Sequence, residues 1–109
     1  MSNDKEIEAE IVAKGLTAPR VTLDHVNSVI AAEKFIRATD VLTICVLTLR
    51  NGFTVTGESA CASPENFNEE VGNKIAKGNA VAKIWALEGY LLKQKLFGAT
   101  QTPAAVAGE

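Results

Sequence analysis

VLTICVLTLRNGFTVTGESA, residues 41–60, decides the fold. A β-branched and apolar run leads into Asn51-Gly52, the preferred pair for a two-residue type I′ turn, because both turn positions need positive φ. The chain then returns as FTVTGESA, so the stretch reads as an antiparallel β-hairpin. A two-residue loop sets Arg50 against Phe53, Thr48 against Val55 and Val46 against Gly57, and strand alternation sorts the side chains onto two faces. Ile44, Val46, Thr48, Arg50, Phe53, Val55 and Ser59 make the expected core face. Thr43, Cys45, Leu47, Leu49, Thr54, Thr56 and Glu58 make the other. That second face is too apolar for water and too polar for a core, which suits an interface or a ligand.

Upstream, Thr22 reads as the N-cap of a helix over about residues 23–37, with Asp24 in its positive first turn and Val26, Val29, Ile30 and Ile36 at helical spacing. Residues 1–19, charged and broken by Gly15 and Pro19, read as a loosely held, flexible arm. Downstream, Ser63-Pro64 reads as a helix start, with serine as cap and proline at the first helical position. Phe67, Val71, Ile75, Gly78, Ala82 and Trp85 recur at steps of three or four, and Ile84, Leu87 and Leu91 form a second row. Unbroken from 64 to 97, this helix would span about 50 Å at ~1.5 Å per residue. That exceeds twice the ~13 Å radius of gyration of a compact chain of this size. A break near Gly78 is therefore expected, with an apolar second half that pairs with a partner. Residues 98–109 have too little to bury and read as a disordered tail. The fold class is α+β: one domain over residues 20–97, with a short antiparallel hairpin or sheet, an N-terminal helix and a long C-terminal helical segment.

The composition bounds the function. At 109 residues the chain is the size of one domain. Its net charge of −2 provides no basic field for a nucleic-acid polymer or an anionic membrane. No apolar run approaches the ~18 residues of a membrane span, and no cationic start precedes an apolar run as a secretory signal would. Cys45, Cys61 and His25 are the only cysteines and histidine, which fits neither a disulfide framework nor a four-ligand zinc site. Cys45 reads as a small buried hydrophobe and Cys61 as a free thiol. His25, in the first turn of a helix with no nucleophile placed beside it, reads as solvated or capping. Glu65, Glu69 and Glu70 read as carboxylates at a favourable dipole end. No phosphate-loop motif occurs. The expectation is a protein that is not an enzyme.

Binding has more support. Thr54, Thr56, Glu58 and Ser59 offer hydroxyls and an acceptor, and free N–H groups after Ser63-Pro64 suit an anion. Phe53 and Phe67 offer faces on which a base can stack. Lys74, Lys77 and Lys83 can supply cations. Taken singly, each phenylalanine reads more readily as core, and serine-proline as ordinary capping. The pattern alone supports a polar pocket and no more.

LTICVLTLRNGFTVTGESACASPENFNEEVGNKIAKGNAVAKIWALEGYLL, residues 42–92, adds a resemblance. The features are Asn51-Gly52-Phe53, Gly57-Glu58-Ser59-Ala60, Pro64-Glu65-Asn66-Phe67, Gly72, Lys74-Ile75-Ala76, Asn79-Ala80, Ile84-Trp85 and Leu87-Glu88-Gly89-Tyr90, with APRVT at 18–22. In this order they resemble a family of small phage proteins, of the N4/Sf6 early-protein kind, that includes the first type of Thoeris anti-defence protein. The resemblance implies a sponge in the host cytoplasm. Such a sponge sequesters, without cleaving it, the cyclic ADP-ribose isomer made by bacterial TIR-domain immune enzymes, and some members also hold cyclic oligonucleotides. It implies no cofactor, and a homo-oligomer built from dimers with the ligand between subunits. On the matching positions, Ser63, the helix start after it and Lys83 would meet phosphates. Asn66, Thr56 and Ser59 would meet ribose hydroxyls, Glu58 would accept from one, and Phe53 or Phe67 would stack on adenine. A structural or regulatory phage homo-oligomer without a ligand is the alternative.

Overall fold

The computed structural model describes residues 3–16 and 18–100. Its elements are α1 (Asp4–Ala13), α2 (Leu23–Ser28), β1 (Ile30–Arg37), β2 (Leu42–Leu49), β3 (Thr54–Ala60), a 3-10 turn (Pro64–Asn66) and α3 (Glu69–Ala99). The strands form one antiparallel sheet in the order β1-β2-β3. α3 packs against β2 and β3, so the architecture is α+β: one sheet, one long helix across it, and two short helices at the N-terminal side.

The helix expected over residues 23–37 is corrected to a single short helix and a strand. Thr22 caps α2 as its sequence suggests, its hydroxyl accepting from the His25 N–H at 3.1 Å. The helix stops at Ser28, and Ile30–Arg37 pairs with β2 instead. The run IAAEKFIR satisfies both periods: Ile30 and Ile36 suit a helical stripe, but Phe35 also alternates inward opposite Cys45. Pairing along β2 satisfies the backbone and buries Phe35 against the core, and this tertiary gain overrides the helix formers Ala31, Ala32, Glu33 and Lys34.

The hairpin forms, but its register is corrected by one residue. Gly52 has φ +91°, while Asn51 keeps negative φ. Leu49 N–H donates to the Phe53 carbonyl at 2.8 Å and Gly52 N–H to the Leu49 carbonyl at 2.9 Å, so Arg50, Asn51 and Gly52 form a three-residue loop. Asn51 Oδ1 accepts from Phe53 N–H at 3.0 Å. Thr48 consequently faces Thr54, Leu47 faces Val55 and Cys45 faces Gly57. A one-residue slip exchanges faces, because side chains alternate with a period of two. The core face is therefore Thr43, Cys45, Leu47 and Leu49 with Val55 and Gly57, all buried. Thr54, Thr56 and Glu58 lie on the opposite face beside Ile44, Val46 and Thr48.

The core joins this face to Val26 of α2 and to Ala76, Ala80 and Ile84 of α3. These α3 positions differ from the expected row: Val71 is exposed, and the buried stripe runs through two alanines. Gly57 explains the choice. A Cβ built there would lie 2.2 Å from the Ala76 carbonyl oxygen and 2.3 Å from the Ala80 nitrogen. Helix and strand meet backbone to backbone, which only small residues allow.

Ser63 does not cap the long helix; its hydroxyl makes no capping hydrogen bond, and a single 3-10 turn follows it. Asn68 is the cap, its Oδ1 accepting from Val71 N–H at 2.9 Å. From there α3 runs 31 residues without a break at Gly78 or Gly89, about 46 Å at ~1.5 Å per residue. The expected break rested on a compact shape, whereas the molecule measures 61 × 37 × 22 Å.

Within the stretch expected as an arm, α1 makes definite contacts. Glu8 accepts from both guanidinium nitrogens of Arg20 at 2.9 and 3.0 Å, and its Oε2 also accepts from Leu23 N–H at the start of α2. Trp85 Nε1 donates to Asp4 Oδ2 at 3.3 Å, tying α1 to α3. Of the stretch expected as a disordered tail, residues 98 and 99 end α3 and Thr100 caps it; residues 101–109 lie outside the described residues.

Candidate functional site

Strand β3 carries the polar side chains singled out in the sequence, and the register divides them. Thr56 and Glu58 project from the face turned away from α3, where Thr56 Oγ1 lies 3.5 Å from Glu58 Oε2. Ser59 projects toward the α3 side with Val55 and Gly57. The eight named residues therefore do not form one cluster.

Phe53, Thr56 and Lys83 come together in an open groove of about 460 Å³ between the edge of β3 and α3, floored by Ala86 and Leu87. Phe53 is 57% exposed, so its ring is free to stack rather than committed to the core. Lys83 forms no ion pair among the described residues. An aromatic face and an unpaired ammonium are thus side by side, with Thr56 at the rim, its hydroxyl turned to Glu58 on the opposite face of the sheet.

Ser59, Asn66 and Phe67 line a second, smaller pocket of about 100 Å³ at the other end of β3, with Thr43, Cys61 and Gly72. The guanidinium of Arg37 sits 3.7 Å above the Phe67 ring centroid, a cation–π contact that holds the ring at the pocket wall. Ser63 and Glu58 line neither concavity.

Three residues to which the sequence assigned no role shape these surfaces. Arg37 was hidden inside the expected helix, and only its pairing opposite Thr43 brings it to Phe67. Asn68 starts α3 in place of Ser63; its position just before Glu69-Glu70, which favour a helix N-terminus, was a legible signal. Asn79 reaches from α3 to donate to the Glu58 carbonyl at 2.7 Å.

Several other titratable groups have structural partners. His25 Nε2 lies 2.7 Å from Glu88 Oε1, and Lys77 pairs with Glu33 at 2.8 Å. Burial pushes the Cys45 thiol up, with the nearby Glu33 carboxylate adding to the effect and Lys77 opposing it, so Cys45 stays a neutral packing group. Cys61 is a free, half-buried thiol. No group of three or more His, Cys, Asp or Glu side chains able to hold a metal occurs among the described residues. What the two concavities offer is hydroxyls, amides, aromatic faces and one cation, which is chemistry for holding a polar, planar ligand.

A sheet backed on one face by a single long helix, with concavities at both ends of its edge strand, makes this a small α+β protein. The chain belongs to the Phage protein (N4 Gp49/phage Sf6 gene 66) family, whose model matches residues 21–96, from just before α2 to the last turn of α3 but one. No curated protein and no solved structure compared with the chain matches it. No helix among the described residues is long and apolar enough to cross a membrane.

Proposed function

We propose that this phage protein is an anti-defence sponge, which binds a cyclic ADP-ribose isomer made by host TIR enzymes and keeps it, unaltered, from its effector. The observation that carries the reading is the groove joining Phe53, Thr56 and Lys83. A nucleotide signal needs a stacking face for adenine, a group that both donates and accepts for ribose, and a cation for phosphate. The groove supplies the stacking face and the cation with Thr56 at its rim, and its volume falls within the ~300–1,000 Å³ common for small-molecule sites. The smaller pocket adds Ser59 and Asn66 as further hydroxyl and amide partners. Family membership supports the phage context, and host cytoplasm is the compartment this role requires.

A sponge must hold its signal at nanomolar concentration, roughly −12 kcal/mol. Such affinity needs most of the ligand surface covered, and both concavities are open. The working unit is therefore a homo-oligomer in which a second copy closes the site. Calorimetry with the isomer made by incubating a bacterial TIR enzyme with NAD tests this. The wild type should bind at nanomolar concentration, and heating should release the intact isomer. Lys83→Ala and Asn66→Trp should each weaken binding at least about 100-fold, some 2.7 kcal/mol. Wild-type binding in the millimolar range, or recovery of a hydrolysed product, would overturn the reading.

The exposed apolar side chains of α3, Tyr90, Leu91 and Phe97 among them, favour a second reading: a structural or regulatory phage homo-oligomer that holds no ligand. An oligomer in solution with no heat of binding would select it.

A further inference from the structure

Helix α1 is turned the wrong way round for one that packs by apolar contact. Of its side chains only Asp4, Glu8 and Ile11 are half-buried. They stand four and three residues apart, on one face of the helix, and two of the three are carboxylates. Ile7 and Val12 of the helix, and Leu16 after it, are exposed instead. No residue of α1 is fully buried. What holds the helix is polar: Glu8 on the Arg20 guanidinium and the Leu23 N–H, and Asp4 on the Trp85 indole N–H. Contacts open to solvent contribute little net stability, so α1 is seated without being locked. The seat is also underfilled. A cavity of about 430 Å³ lies beside the first turn of α1, walled on the body by Leu23, Gly78 and Val81, with Lys74 and Lys77. From the α1 side it meets only residues 3–6, all polar, so its apolar wall has no apolar cover.

We infer that the surface of Arg20, Leu23 and Trp85 is a docking site for an acidic helix of a partner protein, which α1 occupies until that partner displaces it. The helix it fits carries two carboxylates four residues apart, as Asp4 and Glu8 are, and a large apolar side chain one position ahead of the first. The guanidinium takes one carboxylate in two parallel hydrogen bonds, which fixes its orientation. The indole N–H can only donate and takes the other. Charge favours the same partner, since Arg20, Lys74 and Lys77 surround the seat. Lys77 already pairs with Glu33, whereas Lys74 forms no ion pair among the described residues.

α1 is then an intramolecular competitor. Tethered by a short stretch of chain, it holds the seat at an effective concentration on the order of millimolar. A partner prevails only by binding better, and the apolar wall of Leu23 and Val81 is where it can, because tryptophan and arginine already anchor the rest of the contact. None of these groups lines the concavities that hold Phe53 and Asn66, so the docking surface is independent of the sponge reading.

The test uses the full chain, with a fluorescein-labelled peptide of residues 3–16 as the probe. Asp4→Asn together with Glu8→Gln in the protein frees the seat without altering it, and the fold should persist because α1 contributes no buried residue. The freed variant should bind the peptide at submillimolar concentration and regain the wild-type fluorescence of Trp85, the only tryptophan. Wild type, its seat filled, should bind at least about 10-fold more weakly. Adding Arg20→Ala to the freed variant should abolish binding. A peptide with Asn3→Phe should bind about 10-fold more tightly than the unaltered one, by burying its ring in the cavity. Equal binding to wild type and freed variant, binding that survives Arg20→Ala, or none below about 1 mM would each overturn the docking site. An unchanged affinity for the Asn3→Phe peptide would overturn the partner and leave α1 as the proper occupant. Sedimentation equilibrium should give wild type and freed variant the same mass. Loss of assembly in the freed variant alone would also overturn the partner, assigning the seat to α1 of a second copy.

Discussion

The two halves of α3 obey different rules. In the first half the helix lies against β3 so closely that backbone meets backbone at Gly57, and Ala76, Ala80 and Ile84 are buried. In the second half Tyr90 is 70% and Leu91 58% exposed, and nothing would obstruct a Cβ at Gly89. One helix thus combines a stretch buried against the sheet with a stretch held by few contacts, His25 on Glu88 among them, although isolated helices are marginal in water. The difference teaches that secondary structure can outlast the core that nucleates it.

The comparison can be broken at two matched glycines. Gly57→Ala should be the most damaging change, because the obstructing atoms are backbone and cannot rotate away. α3 would have to lift from β3, at a loss of at least about 3 kcal/mol in urea unfolding. A loss under about 1 kcal/mol would mean that helix and strand are not in backbone contact. Gly89→Ala should act oppositely, adding about 1 kcal/mol through helix propensity with nothing to displace. If it destabilises instead, the second half of α3 is not a free helix.

A smaller effect separates both halves from the N-terminal helix. The hydrogen bonds from Arg20 hold the Glu8 carboxyl below the usual carboxylate range, aided by the Leu23 N–H and opposed by desolvation. A depressed folded-state value means that the contact contributes fully above the ordinary carboxylate range and is lost as pH falls through the lower value of Glu8. Protection factors of the α1 amides, corrected for the intrinsic pH dependence of exchange, should therefore fall as pH drops below the ordinary carboxylate range of about 4, while α3 stays protected. Glu8→Gln should exchange rapidly in α1 at neutral pH already. Unchanged protection in that variant would show that Glu8 does not hold the helix.

Much of this architecture was legible. Asn51-Gly52 between apolar runs announced the hairpin, and the long apolar periodicity announced α3. The errors have physical origins. Whether Asn51 adopts positive φ decides between a two-residue and a three-residue loop, and the residue pair permits both. That single choice joined Val55 to the wrong face of β2 and so placed Ile44, Val46 and Thr48 in the core instead of Cys45, Leu47 and Leu49. β1 was missed because Ala31, Ala32, Glu33 and Lys34 favour a helix until β2 is there to pair with. The close approach at Gly57 could not be read from one strand, since it depends on which residues of α3 cross it. The named site residues failed to cluster for a related reason: each was placed by local pattern, while their grouping depends on the register and on where α3 begins.

The overhanging end of α3 affects how the molecule would travel. Its radius of gyration is 17.9 Å, against ~13 Å for a compact chain of this length; the scaling law assigns 17.9 Å to a compact chain of roughly 250 residues. A single copy would therefore drag through a gel-filtration column, or scatter X-rays, much as a compact protein of about twice its mass. Elution volume alone would report a dimer whether or not one had formed. Only a method that weighs the particle, by sedimentation equilibrium or light scattering, separates an elongated monomer from a pair.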